Sequence, residues 1–396
     1  MTDKFQIKKF YPCYFAFMIS GSVALILGAI LPYIIEETGI SFAVAGSLLS
    51  VFAMGNFLAS FVYPPLSKLL GRKAAFITAA LLQPAGLITV TLSSDISVLL
   101  AVFFILGISR GCNSIFNNAY VNENSDGGAA ALNILHMIFA VGAFTAPVCL
   151  SGFVKAGLGW RFELYFLAAA GLLAVILLLR LKMKEALIAN TGKDYSEQKK
   201  TKPFWKCSVF YVSGFLLFFY LGLENCVNGW FKTYFKVSEI MSDGFANSLV
   251  GFTWAAVLLG RLVTANLAAR INPKKLVFAD CIAAAVFFIL LTSTKNLTVI
   301  TVSILGLGFF FAGIYPTTVS NCRSAIYGSD LGMSMLLAVS AAGGIITPQI
   351  VGYVADKTGL AGAISLLSVN VIVMIVLSIM NLIRKEEGEP GVAAGD

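Results

Sequence analysis

The sequence predicts an all-α membrane protein of twelve spanning helices in two similar six-helix halves, and three observations predict it. First, 58% of the 396 residues are hydrophobic and 12% are charged, with a mean hydropathy of +0.86. Soluble chains run closer to half apolar and a quarter charged. A water-facing surface cannot absorb that surplus, whereas a lipid-facing one can. Second, the charges cluster and leave apolar runs of the ~20 residues that cross a ~30 Å hydrocarbon layer as helix. Backbone groups in lipid must be satisfied within the segment, which favours helices, and the ten-residue alternation of a barrel is absent from the pattern. Third, the halves match at one offset. Gly28 and Gly229, Tyr33 and Tyr234, Leu66 and Leu267, Lys73 and Lys274, Gly142 and Gly343, and Pro147 and Pro348 are each 201 residues apart.

The spans are expected near 11–35, 43–67, 74–94, 97–121, 129–154, 162–182, 206–234, 245–269, 275–294, 297–321, 330–354 and 360–383. Turn and charge signals mark several boundaries, such as Glu36-Glu37-Thr38-Gly39, Gly71-Arg72-Lys73 and Asn272-Pro273-Lys274. The third and fourth spans are separated only by Ser93-Ser94-Asp95. The first apolar stretch is too long for a signal peptide and is read as the first span. The longest polar stretch falls midway. The expected organisation is an N-terminal bundle over 1–183, a cytoplasmic linker over 184–205, and a C-terminal bundle with a short tail over 206–396.

Lys and Arg give the orientation. With the N-terminus inside, the inner segments carry 20 of the 28 and the outer segments six, with Arg110 and Arg261 inside spans. That asymmetry is a positive-inside signal. It predicts a multi-pass protein of the cell (inner) membrane with both termini cytoplasmic. The net charge of +8 therefore reads as topology in a lipid bilayer, and no nucleic-acid partner is expected. The seven cysteines show no CxxC spacing and read as small buried hydrophobes. With one histidine, His136, no multi-histidine metal site is available, and no metal or cofactor is expected.

An ionisable side chain within a span costs roughly 2.5–3.5 kcal/mol on insertion scales, so each needs a reason. Glu224, in the seventh span, shares a helix face with Tyr220 and Asn228 at i, i±4. A carboxylate there can bind a polyol, hold a cation or carry a proton, and it is the candidate for proton coupling. Arg110, in the fourth span, lies at a matching depth with Asn113 and Asn117 beside it, and reads as a cavity charge. Asn133 and His136 share a face of the fifth span. Trp230, following Gly229, is a candidate to stack on a sugar face. Asn113, Asn117, Asn133, His136, Glu224, Asn228 and Trp230 form the expected substrate-binding set. Arg261 and Asp280 are expected to form a structural ion pair.

These residues resemble the major facilitator superfamily, and within it the fucose-permease-like sugar transporter branch. The resemblance covers nearly the whole chain. It is carried by Gly107-Ile-Ser-Arg-Gly111, Asn117-Asn118-Ala-Tyr-Val-Asn122-Glu123, Ala131-Leu132-Asn133-Ile-Leu-His136, Val141-Gly142-Ala143 to Pro147, Gly159-Trp160-Arg161, Tyr220-Leu-Gly222-Leu-Glu224, Gly229-Trp230 to Tyr234, and Gly313-Ile-Tyr315-Pro316. It implies two bundles rocking around a central site lined by the first, fourth, seventh and tenth spans. It also implies a polar solute such as a sugar, often moved with H+, and places Asn117, Asn133, His136, Glu224 and Trp230 near that site. Two features depart from the pattern. No Asp precedes Gly71-Arg72-Lys73, and residues 11–35 contain no acidic side chain.

The expected function is thus secondary transport of a sugar or similar small polar solute by a monomer working through alternating access. The alternative is efflux of lipophilic, drug-like compounds. Enzyme activity is not expected, because no HExxH, no Ser–His motif and no dense acidic cluster is present.

Overall fold

The computed structural model describes residues 3–124, 129–181, 203–268, 270–326 and 330–384. The chain forms α1 (Asp3–Thr38), α2 (Phe42–Leu70), α3 (Arg72–Leu92), α4 (Ile96–Asn124), α5 (Ala129–Lys155), α6 (Trp160–Leu179), α7 (Ser208–Val237), α8 (Asp243–Ala268), α9 (Pro273–Thr292), α10 (Leu297–Asn321), a short α11 (Arg323–Ile326), α12 (Asp330–Leu366) and α13 (Ser368–Ile383). The expected linker lies outside the described residues, except for Pro203 and a single turn over Phe204–Lys206.

Among the described residues, eleven helical stretches are long and apolar enough to cross a membrane, and one of them, Leu331–Ile383, runs for 53 residues. At ~1.5 Å per residue that stretch covers two passes. Gly359 divides it with φ of 77°, a left-handed conformation that glycine adopts without steric cost. Gly159, between α5 and α6, does the same at φ of 76°. The twelve expected passes are therefore present, with matching glycine breaks before the sixth and the twelfth.

The sequence repeat is also a repeat of contacts. A Cβ on Gly107 would fall 2.1 Å from the Phe52 carbonyl oxygen, and one on Gly308 would fall 2.6 Å from that of Thr253. All four positions are related by the 201-residue offset. Gly142 meets the Met18 carbonyl and Gly343 meets the Phe218 carbonyl with the same intimacy. Lys73 Nζ donates to the carbonyls of Leu179 and Leu181, and Lys274 Nζ donates to that of Arg384, so each lysine closes the end of its own half. Small residues at helix crossings let van der Waals packing hold the helices together where lipid removes the hydrophobic drive.

The apolar core shows how the halves meet. One cluster draws on both, with Leu27, Ile30 and Ile34 of α1 packed among Leu223, Trp230 and Phe235 of α7. The opposite end is split. Phe10, Phe17, Phe76 and Phe116 form one cluster within the N-terminal half, and Phe204, Phe210, Leu217 and Leu336 form another within the C-terminal half. The described hydrogen bonds and ion pairs between halves agree with this division. Asp356 of α12 accepts from the Phe42 and Ala43 amides at 2.7 and 3.0 Å. Ser47 donates to Gln349 Oε1 at 2.8 Å, and Ser50 to the Ile345 carbonyl at 2.6 Å. Lys236 pairs with Glu36, Tyr33 donates to Asp243, and Ser151 donates to the Gly244 carbonyl. All of these lie between mid-depth and the end that carries the α1–α2 connection. The molecule is sealed at that end and divided at the end that carries residue 10.

Candidate functional site

Beneath the seal lies a cavity of about 220 Å³ whose lining includes Asn56, Arg110, Glu224, Asn225, Asn228 and Trp254. These side chains come from α2, α4, α7 and α8, so both halves contribute. Glu224 and Asn228 are brought there by the four-residue spacing read from the sequence.

The Tyr220 hydroxyl lies 2.9 Å from Glu224 Oε1 and 3.0 Å from the Phe311 carbonyl oxygen of α10. A phenol has one hydrogen to donate. It can donate to an ionised Glu224. If Glu224 is protonated, the carboxyl can donate to the phenol oxygen while the phenol donates to Phe311. Both protonation states of Glu224 are therefore accommodated without moving a heavy atom. Arg110 and Arg261 are the cations within electrostatic reach of the Glu224 carboxylate. The Arg110 guanidinium also sits 5.9 Å from the Phe52 ring centroid and 5.6 Å from that of Phe139, at cation–π distance. Asn225 Nδ2 donates to the Gly344 carbonyl at 3.3 Å, and Asn228 Oδ1 accepts from Trp254 Nε1 at 3.2 Å.

Several expected members stand elsewhere. Asn113 and Asn117 are buried and bond each other, with Asn117 Nδ2 donating to the Asn113 carbonyl at 2.8 Å and to its Oδ1 at 2.7 Å. They are not part of the cavity lining. His136 Nε2 lies 3.0 Å from Asn118 Oδ1, ties α5 to α4, and is exposed within electrostatic reach of Arg261. The side chain of Asn133 lies outside the described residues.

Trp230 requires a correction. It is fully buried, donates to the Pro348 carbonyl at 3.2 Å and packs edge-on against Phe42, so it joins the seal rather than the cavity. The reason is angular. Six residues beyond Glu224, at ~100° each, it points about 240° round the helix from the polar face. Trp254 is the tryptophan of the site.

The Arg261–Asp280 ion pair is also corrected, since no such pair joins these two described residues. Gly260 and Thr264 form the α8 face that meets α10, and Asp280 Oδ2 sits where a Cβ on Gly313 would fall, beside Thr264. Arg261, one step round the helix, is exposed and lies within electrostatic reach of Glu224 and His136. Asp280 is buried and its Oδ2 has no hydrogen-bond partner.

The expected binding set left out Asn56, Asn225 and Trp254. Two signals could have found them. Asn56 and Asn225 are amides in mid-span, where each polar group needs a reason. Trp254 is a tryptophan some eleven residues inside its span, far from the interfacial belts that such rings favour.

Comparison with known proteins agrees with this architecture. The family model described as Major Facilitator Superfamily matches residues 12–329. A TsgA homolog of Erwinia tasmaniensis is 22% identical over 370 residues, 92% of each chain. The glucose/mannose transporter GlcP of Bacillus subtilis is 21% identical over 386 residues, again 92% of each. Among solved structures, a bacterial homolog of the human lysosomal transporter Spinster superposes with a TM-score of 0.78 at 14% identity, over 94% of this chain and 96% of that one. The Escherichia coli fucose:proton symporter FucP gives 0.61 at 20%, over 95% and 99%. With the family model matching most of its length and two six-helix halves enclosing a charged central cavity, the chain belongs to the Major Facilitator Superfamily and is a secondary membrane transporter.

Proposed function

We propose that the cavity between the halves binds a sugar or similar small polyol and passes it across the membrane by alternating access. The make-up of the lining carries this reading. A carboxylate, a guanidinium and three amides converge from both halves on a space of about 220 Å³. Polyol hydroxyls both donate and accept; Glu224 accepts, Arg110 donates and amides do either. The Trp254 ring supplies an apolar face for sugar C–H groups. The volume is small beside the ~300–1,000 Å³ of pockets for drug-sized ligands, which favours a small solute over lipophilic efflux. The similarity to the glucose/mannose transporter GlcP and the fucose:proton symporter FucP, both sugar carriers, supports the same choice.

Glu224 is the proposed proton carrier, because the Tyr220 hydroxyl serves it in either protonation state. The 20-to-6 distribution of Lys and Arg supports an orientation with both termini in the cytoplasm. On that orientation the split end opens inward and the sealed end faces out. Residues 184–205 then tether the bundles 1–183 and 206–396 on the inner side.

A ligand panel scored by thermal shift on the purified protein tests the substrate class. A hexose is expected to raise Tm in a saturable manner, and lipophilic cations at matched concentration are not expected to do so through this cavity. A panel in which no sugar or polyol shifts Tm contradicts the reading.

A further inference from the structure

A second pocket, of about 380 Å³, lies away from the central cavity, between α1, α5 and α6. Its walls are apolar, including Phe15, Ile19, Phe166, Leu167 and Leu173. Phe166 and Leu173 are about half exposed, so its mouth is on the outer surface of the bundle, where lipid lies. One charged side chain lines it. Glu163 is fully buried, and neither of its carboxylate oxygens has a hydrogen-bond partner. Of the polar neighbours, Ser22 and Thr145 both donate to the Gly142 carbonyl, and the Cys149 thiol, a weak donor, lies within electrostatic reach without bonding either oxygen. The cation nearest in sequence, Arg161, is held by Glu37 at 2.6 Å.

A buried carboxylate with no donor is costly, and each such group in a folded chain calls for an explanation, an absent ionic partner among them. The chemistry missing is a hydrogen-bonding cation, and the surroundings admit only a body that is itself apolar. From this we propose that the α1–α5–α6 pocket is a binding site for an ammonium group carried on an apolar body, entering from the bilayer, with Glu163 as the counter-ion. The site is separate from the central cavity. An occupant would wedge against α1 and α5, which cross closely where Gly142 meets the Met18 carbonyl.

Equilibrium binding of radiolabelled dodecylamine to the full chain in nanodiscs tests this, with empty discs as background. Saturable binding is expected that excess unlabelled dodecylamine displaces and dodecanol does not. Glu163→Gln is expected to weaken binding at least about tenfold, the size of a charge-assisted contact. It should leave central-cavity solute transport at the wild-type level. Ala170→Phe, which fills the pocket while keeping the carboxyl, should also abolish binding, and its retained transport would report that the protein is folded. Discs of phosphatidylcholine alone and discs containing phosphatidylethanolamine separate two sources of the ammonium. Equal dodecylamine binding in both assigns the site to free amines, and weaker binding in the second assigns it to the lipid headgroup. Undiminished binding by Glu163→Gln, or displacement by dodecanol as effective as by the amine, overturns the proposal.

Discussion

Two tryptophans, 24 residues apart, divide the labour of structure and recognition. Trp230 sits in the seal with its indole N–H on the Pro348 carbonyl, and Trp254 sits at the cavity with its N–H on Asn228. Trp230→Phe removes that hydrogen bond from the buried seal and is expected to cost about 0.5–1.5 kcal/mol of stability. It should lower Tm while the midpoint of a hexose titration stays in place. Trp254→Ala should instead move that midpoint at least about tenfold. If the two effects are reversed, the assignment of the rings is wrong. At this scale the sequence was legible where one helix decided the outcome. Glu224 and Asn228 share a face by spacing alone, and the same arithmetic takes Trp230 off that face. It was opaque where two helices decide. The placement of Asp280 over Gly313 rather than on Arg261 depends on crossing geometry that spacing along one chain does not contain, whereas the bond between Asn113 and Asn117 is an i, i+4 contact within α4.

At the scale of elements, helix contacts are set by small residues in repeated positions. Gly107→Ala and Gly308→Ala each push a methyl into a backbone carbonyl, of Phe52 and of Thr253. Each is expected to destabilise by roughly 1–3 kcal/mol, read as a fall in Tm. Gly152→Ala provides the contrast. Its added methyl meets nothing within 4 Å and its φ is ordinary, so the change should be neutral or stabilising by up to ~1 kcal/mol. A Gly107→Ala protein as stable as wild type would show that the α2–α4 crossing is looser than described. The positions of the helices were readable from hydropathy and turn signals, because a span must be long and apolar. Their ends were less so. The first apolar span begins at Phe10, as expected, but its helix α1 begins at Asp3, since a helix can project beyond the apolar layer without any change in hydropathy to announce where it stops. The short α11 lies between two spans and carries no periodicity long enough to detect. The 201-residue offset was the most informative signal, because the contacts it predicts are formed twice.

The whole molecule is one seal and one division, and transport by alternating access requires that these change places. Asp356 is placed to weight that balance. It accepts the first two amides of α2 from the other half, while Ser41 accepts the Val44 amide from within. The start of α2 is thus satisfied by both halves at once, and opening the sealed end exposes two of its donors. Asp356→Ala removes this advantage and is expected to shift the population toward the state open at the α1–α2 end by roughly fivefold, the usual worth of a helix-start contact. Reaction of a cysteine introduced at Ser47 with an impermeant maleimide reads the shift, and an unchanged rate would remove Asp356 from the gate. The two clusters that close the split end within each half, around Phe76 and Phe210, need no rearrangement in such a motion, because neither crosses the dividing plane.

The account rests on the central cavity as the place where solute is held, and counterflow of labelled glucose in proteoliposomes tests that most directly. Wild-type protein should exchange labelled for unlabelled sugar with saturation, and Glu224→Ala should slow the exchange at least about tenfold at sub-saturating sugar. Exchange by Glu224→Ala at the wild-type rate and affinity would contradict it.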